Sequence, residues 1–204
     1  MNFTISEEQQ SAQQLAQQIL SDFTDVDKLK VIEQQQENFD TGLWQALAKA
    51  GLLGLDIAED QGGTGLGFYS LTTLCEEVGR TVAPGPIIPV LVSAAGTLRR
   101  FASDTQKDQW LPGIASGATL ISAALEEYNN DDPTTPSCSA QKMEGGYSIS
   151  GTKICVSQAP SAARILLSAQ TTEGIVVALV DPRAAASPRT SHNVPHGDPH
   201  ADAA

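Results

Sequence analysis

The chain has 204 residues, a hydrophobic fraction of 41% and a formal net charge of −12. This length and apolar content allow one domain or two small domains with a buried core. The acidic surface repels nucleic-acid phosphates, so nucleic acid is excluded as an expected partner. A local basic or dipolar pocket can still hold a small anion.

The sequence gives no signal for membrane insertion or secretion. Its apolar runs are too short to span a bilayer, and the polar, acidic start over residues 1–10 does not resemble a secretory signal. Cys75, Cys138 and Cys155 lack metal-ligand spacing and are typical of reduced thiols in a cytosol. We therefore predict a cytoplasmic protein without a transmembrane segment.

The first part of the chain has the pattern of amphipathic helices. Ser6 and Gln9 fit a capping box, in which each side chain bonds the backbone amide of the other residue. The polar stretch 26–38 is compatible with a short helix or a loop. Asp40 then fits the N-cap of another helix, and Gly51 fits the left-handed position after the end of that helix.

A glycine-rich stretch follows over residues 59–67. So many glycines predict a turn-rich loop in which the backbone approaches another group closely. No Lys-Ser/Thr pair follows it, and it does not join a strand to a helix, as a phosphate-binding fingerprint requires. A tight connection between packed helices is therefore favoured over a phosphate cradle.

Three further helices are predicted after this loop. The first covers residues 68–82, with Phe68 inward and Glu77 outward. The second extends from Pro86 to Phe101, and its start over 87–92 is apolar nearly all round, which indicates burial on most sides. Ser103 begins a short third helix through a second capping box with Gln106.

After about Gly117 the pattern changes from helices to strands. The predicted strands are Thr119–Leu125, Tyr147–Ser150, Lys153–Ser157, Arg164–Ala169 and Ile175–Val180. Helices followed by short strands indicate an α+β fold rather than an alternating α/β sheet. The sequence therefore predicts an N-terminal all-α helical domain over residues 1–117, followed by an incomplete antiparallel β domain over 118–182.

The tail over residues 183–204 has a different composition. It is rich in Ala, Ser, Pro, His and Asp and is expected to be disordered or aberrant. His192, His196 and His200 recur every fourth residue, but Pro195 and Pro199 interrupt any helix that would align them. No metal site is predicted.

Eight short motifs, in this order and at this spacing, resemble the acyl-CoA dehydrogenase family across about residues 1–184. They are LLGL at 52–55, EDQGGTGLG at 59–67, QK at 106–107, WLP at 110–112, ASG at 115–117, ALEE at 124–127, GTK at 151–153 and CVS at 155–157. The resemblance implies a helical domain, a middle β-barrel domain and a C-terminal four-helix bundle. The residues present correspond to the first domain and part of the second, and the C-terminal bundle is missing.

The chemistry implied by the resemblance is the oxidation of the Cα–Cβ bond of an acyl-CoA thioester in fatty acid and lipid metabolism. FAD accepts the β-hydride, and hydrogen bonds to the thioester carbonyl acidify the α-proton. A glutamate base in the C-terminal bundle removes that proton. Because this base has no counterpart here, no catalytic residue is assigned, and the chain alone is expected to show little or no dehydrogenase turnover.

Three family segments place the implied site. The Thr-Glu-Pro stretch falls on 126–128, the Gly-Ala-Gly-Ser-Asp stretch on 129–133 and the Trp-Ile-Thr stretch on 155–157. The resemblance thus implies these FAD-binding residues and one substrate-binding residue: Leu125, Glu126, Cys155, Val156 and Ser157, with Asp132 for the substrate. Ser157 keeps a hydroxyl, whereas Cys155 loses an aromatic face. Glu127 is interpreted as a solvated carboxylate rather than a catalytic acid or base.

The implied partners are an acyl-CoA substrate, an electron acceptor such as an electron-transfer flavoprotein, and other subunits of a homo- or hetero-oligomer. One alternative is a non-enzymatic binding or assembly module for a longer partner, or a scaffold without flavin. Another is a truncated remnant whose sequence after Arg183 is out of frame. The apolar segment 87–92 could line an acyl-chain pocket, but plain core is favoured.

Overall fold

The computed structural model describes residues 5–35, 39–130, 132–183, 190–193 and 199–203. The chain divides into two compact units, residues 1–119 and 120–204. The first unit contains helices and the second contains strands. The α+β fold class predicted from the sequence is therefore confirmed, and the division lies two residues after the predicted boundary.

The described part of the first unit holds six α-helices. They are α1 Glu7–Phe23, α2 Val26–Gln35, α3 Thr41–Lys49, α4 Phe68–Thr81, α5 Gly96–Phe101 and α6 Asp104–Ala115. Two 3-10 turns, Leu52–Gly54 and Glu59–Gln61, lie between α3 and α4. A π-helical segment, Ile88–Ala95, leads directly into α5, so the predicted helix through Phe101 is present with a wider first part.

The predicted helix starts follow their sequence signals. The Ser6 hydroxyl accepts from the Gln9 amide at 3.2 Å, and Gln9 Oε1 accepts from the Ser6 amide at 3.1 Å. Asp40 accepts from the Leu43 amide at 2.9 Å and caps α3. Gly51 has a φ of 74°, the left-handed conformation expected after this helix.

Helix α4 differs from the prediction at two positions. Glu77, predicted to point outward, is buried, and Phe68, predicted to point inward, is about half exposed. Glu77 shares a stripe with the buried Leu71 and Leu74, because residues three or four apart lie on one helix face. Its carboxylate accepts from Arg80 Nε at 2.7 Å, which compensates the burial of the charge.

The glycine-rich loop is a tight connection, as the favoured interpretation predicted. The amide of Thr64 donates to the Gly54 carbonyl and the amide of Gly65 donates to the Ile57 carbonyl, both at 2.9 Å. A Cβ added to Gly63 would collide with the Ile57 carbonyl oxygen. These amides bond neighbouring backbone and are not presented to a phosphate.

The buried core of the first unit is dominated by leucine. Its most buried members include Leu20, Leu43, Leu47, Leu53, Leu74, Val90 and Leu111. In the apolar segment 87–92, Ile87, Val90 and Leu91 are buried, whereas Ile88 is exposed. The plain-core interpretation therefore holds for three of its residues.

The second unit contains these strands in its described residues: β1 Ile121–Ala124, β2 Ser139–Met143, β3 Gly146–Ser150, β4 Lys153–Ser157, β5 Arg164–Thr171, β6 Gly174–Val180, β7 Thr190–Asn193 and β8 Pro199–Ala203. One sheet is centred on β5, which pairs with β6 in antiparallel orientation and with β1 and β2 in parallel orientation. Strand β2 also forms an antiparallel hairpin with β3. The other sheet has the antiparallel order β4-β8-β7.

The sheet is mixed, whereas an antiparallel one was predicted. Strand β1 is separated from β5 by three other strands, and such a long connection permits parallel pairing. Strand β2 was not predicted at all, because four of its five residues are exposed and it lacks apolar alternation. Buried residues of β1, β4 and β5, among them Ala124, Val156, Ile165 and Leu167, pack in one apolar cluster.

The predicted tail differs from the structure in two segments. Residues 190–193 and 199–203 form β7 and β8, and β8 pairs with β4 in antiparallel orientation. A strand ladder is made by backbone groups, so a segment poor in large apolar residues can still join it. Residues 184–189, 194–198 and 204 lie outside the described part of the chain.

Candidate functional site

The structure brings five of the six predicted site residues together. Leu125 and Glu126 follow the last residue of β1, and Cys155, Val156 and Ser157 form the second half of β4. The amide of Ile154 donates to the Glu126 carbonyl at 3.0 Å, so the end of β1 is bonded to β4. We call these two paired segments, 125–126 and 154–157, the strand-end site.

The five residues present themselves differently to solvent. Leu125 is 38% exposed, and Glu126 and Cys155 are also exposed. Val156 is fully buried in the apolar cluster and Ser157 is only 5% exposed. Side-chain contacts with a bound molecule are therefore open to Leu125, Glu126 and Cys155 but not to Val156.

A bulge in β4 produces this arrangement. The pairing register with β8 shifts between Lys153 and Val156, and Cys155 within the bulge has a φ of 54°. A left-handed backbone is uncommon outside glycine, and such strain is concentrated at binding and catalytic sites. The bulge turns Cys155 outward while Val156 remains in the core.

A second contact joins the start of β1 to the end of β4. The Ser122 hydroxyl donates to the Ser157 carbonyl, and both residues are buried. The strand-end site is thus held at Glu126–Ile154 and at Ser122–Ser157. The role of the Ser157 hydroxyl in flavin binding stays a prediction.

Asp132 lies in the exposed loop between β1 and β2. Its carboxylate accepts from the hydroxyl of Thr134 at 2.6 Å and from the Thr134 amide at 2.8 Å, and more weakly from Thr135. These hydrogen bonds, led by the Thr134 hydroxyl, hold the pKa of Asp132 below its ordinary value. Its role in substrate binding stays a prediction.

Glu127 is the residue at which the sequence interpretation is wrong. It was expected to be a solvated carboxylate, but its side chain is 4% exposed and Lys153 Nζ lies 2.7 Å from its Oε1. The carboxylate also accepts from the amides of Ser137 and Cys138 and from the Asn130 side chain. Glu127 is buried because this set of donors compensates the desolvation of its charge.

Lys153 was not predicted to have a role either. Its side chain is 2% exposed, and its Nζ also donates to the Ser168 hydroxyl on β5 at 3.3 Å. The signal that could have revealed the pair is the presence of Glu127 and Lys153 in two of the family-like motifs, with opposite charges. Periodicity could not reveal it, because the bulge interrupts the alternation of β4.

The electrostatics of the pair follow from these contacts. Burial by itself raises the pKa of Glu127, but the hydrogen bonds from Lys153 and from the amides of Cys138 and Ser137 outweigh it. The pKa of Glu127 is therefore held well below its ordinary range. Burial, with the hydrogen bond to Glu127, raises the pKa of the Cys138 thiol to about 11. Glu127 stays ionised and Cys138 stays a thiol at neutral pH.

The described residues also bear on other kinds of site. No group of three or more His, Cys, Asp and Glu side chains among them could hold a metal ion. Within that same part of the chain, no helix combines the length and apolar character needed to cross a membrane.

Comparison with known proteins identifies the family. The sequence pattern described as "Acyl-CoA dehydrogenase, N-terminal domain" matches residues 6–118. The acyl-CoA dehydrogenase FadE27 of Mycobacterium tuberculosis is 29% identical over 180 residues, which cover 88% of this chain and 47% of that protein. The chain thus spans about half the length of this curated relative.

Solved structures show the same fold. A variant of the Tcur3481–Tcur3483 steroid ACAD has a TM-score of 0.91 and 36% identity, covering 98% of this chain and 55% of that one. The ChsE4–ChsE5 complex from Mycobacterium tuberculosis has a TM-score of 0.85 and 26% identity, covering 100% and 55%. A helical unit followed by a mixed sheet is thus the fold of about half of each of these chains. The chain belongs to the acyl-CoA dehydrogenase family, a family of oxidoreductases.

Proposed function

We propose that the chain binds FAD at the strand-end site and forms the N-terminal half of an enzyme that oxidises the Cα–Cβ bond of an acyl-CoA thioester. The observation that carries the proposal is the bond between Ile154 and Glu126, which joins the two segments assigned to the flavin. Glu126 and Ile154 are 28 positions apart in sequence, yet the fold pairs them. Family membership supports the reaction class.

The residues of the strand-end site fit an isoalloxazine ring in their chemistry. A flavin ring needs hydrogen-bonding partners for its nitrogens and oxygens and an apolar surface against its face. We assign the former to the backbone amides of Leu125 and Glu126, because the backbone of 156–157 is engaged by β8 and by Ser122. The half-exposed Leu125 and the outward Cys155 supply the latter. The exposed Glu126 carboxylate adds a negative charge beside them.

When bound, FAD supplies the acceptor for the substrate hydride. The chain's own residues orient the edge of the ring. Val156 and Ser157 are buried, so they exclude water from the side of the site that faces the core. Glu127 takes no part in proton transfer, because its carboxylate is ion-paired with Lys153 and stays ionised. The family's base belongs to the bundle, so these 204 residues alone are proposed to have little or no turnover.

The partner and the substrate are proposed from the names of similar structures. Assembly with another subunit is supported by the two-protein names of the Tcur3481–Tcur3483 and ChsE4–ChsE5 structures. A steroid-linked acyl group is favoured as substrate by the name of the first of these. An electron-transfer flavoprotein is proposed as the electron acceptor, as the family resemblance implies. A cytosolic location is proposed because Cys75, Cys138 and Cys155 lack metal-ligand spacing and are typical of reduced thiols.

The test is the visible absorption spectrum of the purified chain after gel filtration with FAD. We expect a flavin band that stays with the protein, is perturbed more by a steroid-CoA than by a straight-chain acyl-CoA, and is accompanied by no turnover. Leu125→Asp should weaken FAD binding about ten-fold, the effect of losing about 1.4 kcal/mol. Met143→Asp, at an exposed apolar residue of β2, is the matched control and should bind FAD normally.

Soluble, folded protein that retains no flavin would contradict the proposal. In that case the alternative of a non-enzymatic binding or assembly module gains support. Equal loss of FAD binding in Leu125→Asp and Met143→Asp would show that Leu125 is not a local flavin contact. The flavin then binds elsewhere, or both substitutions weaken binding by disturbing the fold.

A further inference from the structure

The buried pair of Glu127 and Lys153 lies directly beside the strand-end site. Glu127 follows Glu126 in sequence, and Lys153 precedes Ile154, so the ion pair flanks the hydrogen bond between these two residues. No other ion pair recorded among the described residues has both side chains less than 5% exposed. An isolated buried charge on either side would be costly, so each residue fixes the position of the other.

The contacts of the pair extend to four strands of the second unit. Glu127 Oε1 accepts from the Cys138 amide at 3.0 Å, immediately before β2. Lys153, at the start of β4, donates to Ser168 in the middle of β5. The end of β1, the start of β2, β4 and β5 thus meet at one buried cluster of charged and polar groups.

We propose that the Glu127–Lys153 pair is the positioning element of the strand-end site, which sets the register of 125–126 against the bulged β4 and thereby presents both segments to the flavin. This inference rests on the proposed FAD function and names the residues that organise its site. The strained backbone at Cys155 needs such an element, because a residue in a rarely populated conformation persists only where its surroundings over-determine it. Both charged side chains are buried, so the proposal gives them no direct contact with the flavin.

A positioning role and a merely structural role predict different behaviour. Lys153→Met leaves the Glu127 carboxylate buried without its cation, which lowers both stability and FAD affinity. Combining Lys153→Met with Glu127→Gln removes both charges, and replacing a buried ion pair by uncharged groups commonly restores much of the stability. If the pair positions the site, FAD affinity stays low in the double variant even though the fold recovers.

The experiment measures FAD affinity by flavin fluorescence and stability by urea unfolding in the same four chains: the native one, each single variant and the double variant. We expect the dissociation constant to rise about ten-fold in the double variant, with coupling between the two substitutions in the cycle. Recovery of native affinity together with stability would overturn the proposal. Asp181→Asn, which removes the part-exposed Arg164–Asp181 pair at 3.0 Å, should leave the affinity unchanged.

A cofactor-free readout separates this inference from the proposed FAD function. Amide hydrogen exchange at Ile154 reports the bond to Glu126, and exchange at Ala163, which donates to Leu120 at 2.8 Å, is the internal control. If the native chain binds no FAD, the FAD proposal fails, and faster exchange at Ile154 alone in the double variant still supports the positioning role. Equal exchange at Ile154 in native and double-variant chains would overturn it.

A milder variant covers the case in which the charge variants do not fold. Ser168→Ala removes only the 3.3 Å contact of Lys153 and leaves the ion pair intact. We expect a smaller, two- to three-fold acceleration of amide exchange at Ile154. Loss of the Lys153–Ser168 hydrogen bond, at the low end of the net contribution of such a bond to stability, has about this effect. No change at Ile154 in this folded variant would then count against the proposal.

Discussion

Glu126 and Glu127 are adjacent carboxylates with opposite environments. Glu126 is exposed and bonded through its backbone to Ile154, whereas Glu127 is buried against Lys153. Successive side chains of an extended segment point to opposite faces, so one of two neighbouring acids must face the interior. The interior position is tolerated here because the carboxylate has a cation and two backbone amides as donors.

The depressed pKa of Glu127 predicts how stability depends on pH. A carboxylate with a lower pKa in the folded state stabilises the fold above its unfolded pKa of about 4.3 and loses this contribution as pH falls. Glu127→Gln should therefore lower the free energy of unfolding at pH 7 by about 3 kcal/mol, and the gap to the native chain should narrow towards pH 3. Urea unfolding across this range measures it.

The control for this prediction is Asp132→Asn. Asp132 also has a lowered pKa, but it is exposed, so solvent screening limits its contribution to stability. The two curves of Asp132→Asn and the native chain should nearly coincide. A gap between Glu127→Gln and the native chain that stays constant from pH 7 to pH 3 would argue against an ionised, pair-stabilised Glu127.

At the scale of elements, the glycine-rich loop combines conformational freedom with close packing. Gly63 lies against the Ile57 carbonyl with no room for a Cβ, while Gly79 on α4 has no neighbour within 4 Å of the position a Cβ would take. Gly63→Ala should destabilise the chain by about 1–3 kcal/mol through overpacking. Gly79→Ala should stabilise it by about 0.5–1 kcal/mol, because alanine is the better helix former. Thermal unfolding of both variants tests the contrast.

The outcome that matters is the difference in sign. If Gly63→Ala and Gly79→Ala were both neutral, the loop would be free to move away from Ile57, and its hydrogen bonds to residues 54–57 would contribute little. A loss of stability in Gly79→Ala alone would mean that another group packs against α4 at Gly79 and leaves no room for the added methyl group.

The elements that could be predicted are those whose sequence carries a local signal. Both capping boxes, with Ser6 and Ser103, mark the starts of α1 and α6, and the predicted strand over 153–157 coincides with β4. Strand β2 carried no such signal, since its position is fixed by backbone pairing with β3 and by one pair with β5. Sequence periodicity reports burial, and a mostly exposed strand leaves no trace in it.

The site could be predicted in part for a similar reason. The resemblance named Leu125, Glu126 and Ser157, and the fold brings them to one place through pairing that no local pattern encodes. The Glu127–Lys153 pair was missed because the two residues are far apart in sequence, and no sequence pattern shows that their side chains meet in the core. Long-range contacts of this kind depend on the register of the sheet.

At the scale of the whole molecule, each unit has its own buried core, but the second leaves apolar surface on one strand. Val176, Ala178 and Val180 of β6 pack against the apolar cluster, whereas Ile175 and Val177 on the opposite face are 46% and 57% exposed. A strand that is apolar on both faces is typical of a sheet covered on both sides. This face is therefore expected to be covered by another protein surface.

Substitution of β6 tests whether a second copy of the chain is that surface. Ile175→Thr with Val177→Thr keeps the β-branched character of the strand and removes apolar area, so the fold should persist while self-association weakens. Sedimentation velocity over a range of concentrations should show a higher monomer fraction for this variant than for the native chain. The matched control is Val31→Thr on α2, a 46% exposed valine of the first unit, which should sediment like the native chain. If the β6 variant also sediments like the native chain, the exposed face of β6 does not hold copies together, because its apolar side chains are then not buried between them.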